Sequence, residues 1–178
     1  MALNFVGTIG GVGRKLQLVK LANSQTVEVG DAIETYTVGL GTLQTAAHHV
    51  GGIVDAICDS KGNPIQISNP VAGTASSTDV RSQATGTGGL YYALVDFGRD
   101  TIYSAAVEGT IGTTATSNLR GCHIDINSAG AEYGEVLEST ATRTEGVEAN
   151  FYSHGVDPND STRMLVSIAM SEMQTLTT

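Results

Sequence analysis

Hydrophobic and polar positions along this chain alternate with a period of two, the pattern of half-buried strands, far more often than with the 3.6-residue period of a helix. Lys15 to Leu21 reads K-L-Q-L-V-K-L, with Leu16 and Leu18 alternating against polar neighbours as in a half-buried strand. Thr26 to Ile33 keeps the period, with Gly30-Asp31 as a turn or bulge signal. Val50 to Cys58 predicts a third strand, the turn Ser60-Lys61-Gly62-Asn63-Pro64 follows, and Ile65 and Ile67 begin a short fourth. The pattern resumes with Leu90 to Phe97, Thr101 to Val107, Arg120 to Ile126, Glu135 to Glu138, Val147 to Tyr152 and Arg163 to Met170. Cys122, Ile124 and Ile126 alternate with His123, Asp125 and Asn127, which gives that strand one apolar and one polar face. Met164 to Met173 also fits a short helix, although Arg163-Met164-Leu165-Val166 favours a strand at its start.

Two stretches fall outside this alternation. Residues 1–13 place Leu3, Phe5, Val6, Ile9 and Val12 among four glycines without a helical stripe, which fits a flexible or strand-adding N-terminal arm. Residues 69–89 are dominated by Ser, Thr, Gly and Ala and offer little apolar surface to bury, as in a linker or long surface loop. The expected organisation is therefore an arm (1–13), a small β-barrel or sandwich (14–68), a linker or loop (69–89) and a β-sandwich-like domain (90–178). Composition agrees with an all-β fold. The 178 residues include 22 Gly and 22 Thr against 3 Lys, which suits turns and pleated surfaces better than solvent-facing helices. A chain of this length buries roughly 70% of its unfolded surface, so it needs neither a metal nor a disulfide to fold.

Charge narrows the function classes. The net charge is −9, and the densest basic spot is Arg14-Lys15 with Lys20 nearby. Nucleic-acid binding needs a basic face to displace counterions from phosphates, so neither DNA nor RNA is an expected partner. Cys58 and Cys122 lie 64 positions apart, matching neither a zinc knuckle nor a redox pair, and are expected to be buried or half-buried free thiols. Met1-Ala2-Leu3-Asn4-Phe5 lacks the basic start of a signal peptide, and no run approaches the ~20 apolar residues of a membrane span. A soluble protein made in the cytoplasm is expected.

Candidate chemistry is sparse. Gly7 to Lys15 superficially resembles a phosphate loop, but Arg14 precedes the lysine, Leu16 follows it, and a strand is expected where a helix is required. His48-His49 is the one close pair of potential metal ligands. Neighbours on a strand face opposite ways, so the two do not readily hold one ion unless the loop bends; Asp55, six positions on, is placed to join one of them, whereas a metal needs three or four ligands that converge. His123 and Asp125 share a strand face and fit a base with its orienting carboxylate, or a cross-strand polar contact. His154 follows Ser153 in a turn-like stretch, and no Gly-x-Ser-x-Gly elbow occurs. Glu132, Glu135 and Glu138 do not share a strand face, and Asp96, Asp100, Asp157 and Asp160 lack the EF-hand spacing; aspartates in turns commonly bind backbone amides. No catalytic, cofactor-binding or metal-ligating residue is assigned, no cofactor is expected, and the chain is not expected to be an enzyme.

Three phrases resemble a group of small structural proteins from tailed bacteriophages, particularly marine podovirus-like ones. They are Leu94 to Thr110 (L-V-D-F-G-R-D-T-I-Y-S-A-A-V-E-G-T); Leu119 to Ser128 with Gly134-Glu135-Val136-Leu137-Glu138 after it; and Asn159 to Ile168 with Gln174 beyond. Val27-Glu28-Val29-Gly30-Asp31-Ala32 is similar to a strand-turn-strand phrase of capsid-decorating modules. The resemblance covers mainly residues 90–174. It implies a non-catalytic virion component, a decoration (cement) protein that binds the major capsid protein on the outer capsid surface, commonly as a homotrimer. A tail, fibre or baseplate component is the alternative, and a polysaccharide-active enzyme a more distant one.

Overall fold

The computed structural model describes residues 3–22, 27–37, 40–43, 50–59, 61–64, 92–108, 111, 120–126, 135–142 and 150–169. The fold is all-β. Eleven strands run in the order β1 (Asn4–Thr8), β2 (Leu16–Leu21), β3 (Ala32–Thr37), β4 (Leu40–Leu43), β5 (Gly52–Cys58), β6 (Tyr92–Asp96), β7 (Thr101–Glu108), β8 (His123–Ile126), β9 (Glu135–Thr142), β10 (Phe151–Asp157) and β11 (Asp160–Ile168). The one helical piece among the described residues is a 3-10 turn, Ile9–Gly11.

Five strands close a small barrel in the order β2-β4-β3-β5-β6. Only β2 and β4 run parallel there; the other pairs are antiparallel. Val19, Leu21, Val27, Ile33, Val54, Ile57, Ala93 and Val95 fill the interior, with Phe97 against them. So narrow a ring leaves little room inside. A β-carbon on Gly41 would stand 3.0 Å from Val19 and 3.1 Å from Ile33, so even a methyl there would press on both side chains.

The second sheet has the order β1-β7-β11-β10-β8-β9 and curls until β9 also pairs with β7. Two strands thereby share one edge of β7. Antiparallel β1 lies along residues 101–104 and parallel β9 along 106–108. Its interior holds Tyr103, Ala105, Val107, Cys122, Ile124, Ile126, Val136, Phe151, Met164, Val166 and Ile168, and the same cluster takes in Leu3 just before β1 and Ala32, Val50 and Ile53 from the barrel side. The apolar core thus runs continuously from one sheet into the other.

Several expectations are corrected. Of the two readings of residues 1–13, residues 4–8 take the strand-adding one and not the flexible one, pairing with the edge of β7 of their own chain. The barrel takes its last strand, β6, from beyond residue 89, because alternation marks a strand without naming its neighbour. The second half is a sheet closed on itself rather than a two-sheet sandwich. In β2 the expected phase is inverted: Leu16 and Leu18 are exposed, and Val19 and Leu21 are buried. β4 was not expected. β11 extends through Ile168, and β10 runs on past Tyr152, so His154 lies in a strand and not a turn. Residues 65–91, which include Ile65, Ile67 and the expected linker, lie outside the described residues.

Candidate functional site

Among the described residues, two gatherings of polar side chains bear on the candidates named from the sequence. The first lies where the sheets meet. Asp96 ends β6 with a fully buried side chain. Its Oδ1 accepts from the Gly98 amide at 2.8 Å and the Lys15 amide at 3.3 Å; its Oδ2 accepts from Arg14 Nε at 2.8 Å and the Thr101 hydroxyl at 3.1 Å. Arg14 also reaches Asp55 on β5 at 2.7 Å, and its guanidinium lies 4.4 Å from the Phe5 ring centroid. The Asp96–Arg14 pair thus ties together β1, the entry to β2, β5, β6 and β7.

Burial pushes the Asp96 carboxyl up, but the Arg14 guanidinium, the Gly98 amide and neighbouring hydroxyls outweigh it and hold the group below the usual carboxylate range. Burial works against the Arg14 charge too, and the two carboxylates still hold its pKa above the ordinary value. The Tyr103 hydroxyl is buried without a hydrogen bond of regular geometry; burial first, then the nearby Asp96 charge, pushes it up. A carboxylate enclosed by four donors is an anchor, not a base waiting for substrate.

The anchor depends on Gly98. A β-carbon there would stand 2.5 Å from the Thr101 hydroxyl oxygen and 2.9 Å from Asp96 Oδ1. Gly98→Ala is therefore expected to cost about 1–3 kcal/mol, as other overpacking changes do. Urea unfolding checks this, with a lowered midpoint at unchanged slope as the expected result.

The second gathering lies on the outer face of the curled sheet. His123, Tyr152 and Ser167 stand abreast on β8, β10 and β11. The Tyr152 ring meets His123 and His154 edge-on, with centroids 5.7 and 5.3 Å apart. His154 Nε2 shares a 2.9 Å hydrogen bond with the Ser167 hydroxyl. Burial, then the Arg120 charge, pushes the His154 pKa down, while burial pushes the Asp125 carboxyl up. Ser167 is 5% exposed, so this serine–histidine pair offers no reachable nucleophile. His123 and Asp125 do share a half-buried face as expected, but the His123 ring is packed on Tyr152 and its buried Nδ1 has no hydrogen-bond partner among the described residues.

The remaining candidates disperse. Gly7 to Lys15 spans β1, the 3-10 turn and the Arg14 anchor, and leads into strand β2. Asp55 is bound to Arg14, and His48-His49 and Glu132 lie outside the described residues. Glu135 and Glu138 both fall in β9. Asp59, Asp157 and Asp160 accept backbone amides of their own turns, as turn aspartates were expected to. Asp157 also accepts from the Ser104 hydroxyl at 2.6 Å, and Arg163 donates to both oxygens of Ser104. Asp100 is exposed, with its carbonyl taking the Ile9 amide. Cys58 and Cys122 are both buried free thiols, and burial pushes Cys58 up. Among the described residues no three His, Cys, Asp or Glu converge as a metal site, and no helix is long and apolar enough to cross a membrane.

Sequence reasoning placed Asp96 among turn aspartates and left Arg14 in a basic spot. Their partnership spans 82 positions, and its only local trace is the Asp96-Phe97-Gly98 turn.

No protein-family model matches the chain. No curated protein matches it either. A solved structure described as "The capsid of Myoviridae Phage XM1" superposes with a TM-score of 0.43 at 15% identity, over 96% of this chain and 93% of that one. A likeness of that degree carries no argument about function.

Proposed function

We propose that this chain is a structural component of a phage virion, a decoration protein that binds the outer capsid surface as a homotrimer. The assignment to a virion rests on the three sequence phrases described above, which fall largely on β6–β7, β8–β9 and β11. The observation that carries the binding role is where chemistry and apolar surface lie. Arg14, Asp96, Ser104 and Asp157 are engaged in structural bonds, whereas six of the nine large apolar side chains exposed among the described residues lie between Phe5 and Leu18. Such a molecule presents a surface rather than a reaction site. An acidic body with few lysines also stays soluble at the copy number a shell requires.

Co-sedimentation with capsids that lack the protein tests this. Saturable binding in fixed ratio to the major capsid protein is the expected result, with density on the shell by electron cryo-microscopy. Density confined to the tail, fibres or baseplate would make it a different virion component. Failure to saturate would remove the decoration role.

A further inference from the structure

His154 stands where β10 loses step with β11. The register slips between Ser153 and Gly155, and Gly155 takes a φ of 111°. A bulge of this kind re-aims its side chain, here onto the outer face, where the half-buried ring meets Ser167 and Tyr152. The turn that leads into β8 lies against the same bulge. Two bonds hold it there: the Gly121 amide donates to the Ser153 carbonyl, and the Ser153 amide to the Cys122 carbonyl, both at 2.8 Å. Arg120 stands beside Gly155, its Cβ 3.8 Å from where a β-carbon on that glycine would be. The Tyr152 hydroxyl comes within 3.5 Å of the corresponding point on Gly121. Among the described residues, β8 and β10 otherwise share only the pairs Phe151 with Ile124 and Tyr152 with His123. The attachment is short, and a histidine and an arginine stand next to it.

A proton on His154 would put two cations at this attachment. Burial first, then the Arg120 charge, pushes the His154 pKa down. The other titratable or charged groups of this face are set apart from the ring. His123 of β8 packs on the Tyr152 ring, and Arg163 of β11 and Asp157 at the hairpin end are both bonded to Ser104. Asp125 of β8 acts in the opposite sense, because burial holds its carboxyl up and acid favours it in place. The closed turn therefore holds the neutral imidazole, whereas an opened turn lets His154 titrate near the ordinary value of about 6.5. Between the two values the open form binds more protons, so opening grows as pH falls and levels off below the lower one.

We propose that the turn at residues 120–122 is a latch on β10 that protonation of His154 releases, uncovering the buried Cys122 thiol while the rest of the fold stays closed. The device lies within a single chain and does not depend on shell binding.

Thiol labelling of the full chain with a dithiodipyridine, which still reacts in acid, tests it. Mass spectrometry locates the label, and each rate is divided by that of the urea-unfolded chain at the same pH. From about pH 8 to about pH 5.5, across the ordinary histidine range, Cys122 labelling is expected to rise while buried Cys58 stays protected. His154→Gln keeps a hydrogen-bonding group for Ser167 but takes up no proton, and is expected to abolish the rise. Arg120→Gln removes the opposing charge and is expected to diminish it; this variant carries the test alone if His154→Gln fails to fold. His123→Gln is expected to leave it in place. Labelling of Cys122 that stays flat with pH in the wild type overturns the latch. A rise of full size in His154→Gln, or in Arg120→Gln where that variant stands alone, overturns His154 as the trigger. Cys58 labelling that rises in step with Cys122 means that the whole fold opens, and overturns the latch equally.

Discussion

Asp96→Ala is expected to lower the unfolding free energy by about 3–5 kcal/mol, the range for breaking a buried ion pair from one side. The substitution removes the common acceptor of Arg14, Thr101 and two backbone amides, at the point where β1, β5, β6 and β7 converge. Asp96→Asn keeps the volume and one oxygen acceptor, and Arg14 retains Asp55, so its loss should be smaller. The effect carries a pH signature. The folded Asp96 pKa lies below the unfolded value of about 3.9, so between the two values the unfolded chain holds more protons and stability rises with pH. The stabilisation is complete above the unfolded value and is lost as pH falls through the folded one. Urea unfolding from neutral to acid pH should show wild type and Asp96→Ala converging at the acid end. A gap that stays constant across that range would mean Asp96 is not stabilised as a carboxylate.

Alternation recovered most strands because a strand with one wet face prints its burial directly on the sequence. β8 is the clean case, with Ile124 and Ile126 buried and His123 and Asp125 half-buried between them. β7 shows the opposite regime. Ser104 and Ala106 are buried as well as Tyr103, Ala105 and Val107, because the strand lies between the other elements and both of its faces are covered. Its inner and outer faces cannot be separated by hydropathy. β2 failed in a more instructive way. Leu16 and Leu18 stand outside while Val19 and Leu21 stand inside, and hydropathy alone does not say which of two interleaved apolar sets faces the core. The same ambiguity left residues 1–13 between a flexible arm and an added strand, and residues 4–8 are that strand, paired with β7. Long-range pairing lay beyond reach altogether. Nothing local joins Arg14 to Asp96, or β2 to β6, because register between distant strands is set by packing and not by either strand alone.

The strongest test of that strand phase comes from two adjacent residues of β10. Phe151 is fully buried, with Ile124 of β8 on one side and Ile168 of β11 on the other. Tyr152 is 38% exposed, and its cross-strand neighbours are His123 and Ser167. Phe151→Ala removes the centre of a three-strand apolar row and is expected to cost about 3–5 kcal/mol, as aromatic-to-alanine changes in packed cores do. The interior of a closed sheet has little freedom to collapse onto the void, which favours the upper part of that range. Tyr152→Ala gives up edge-on contacts with two imidazoles but opens no cavity, and should cost less than about 1.5 kcal/mol. Chemical unfolding of the two variants side by side decides the phase of β10, and with it the face that β8 and β11 turn inward. Equal losses would mean that the outer face is covered in solution, which would place a subunit contact over Tyr152. A larger loss at Tyr152 would require β10 to be turned over, because a one-residue slip in register exchanges every inward side chain for an outward one.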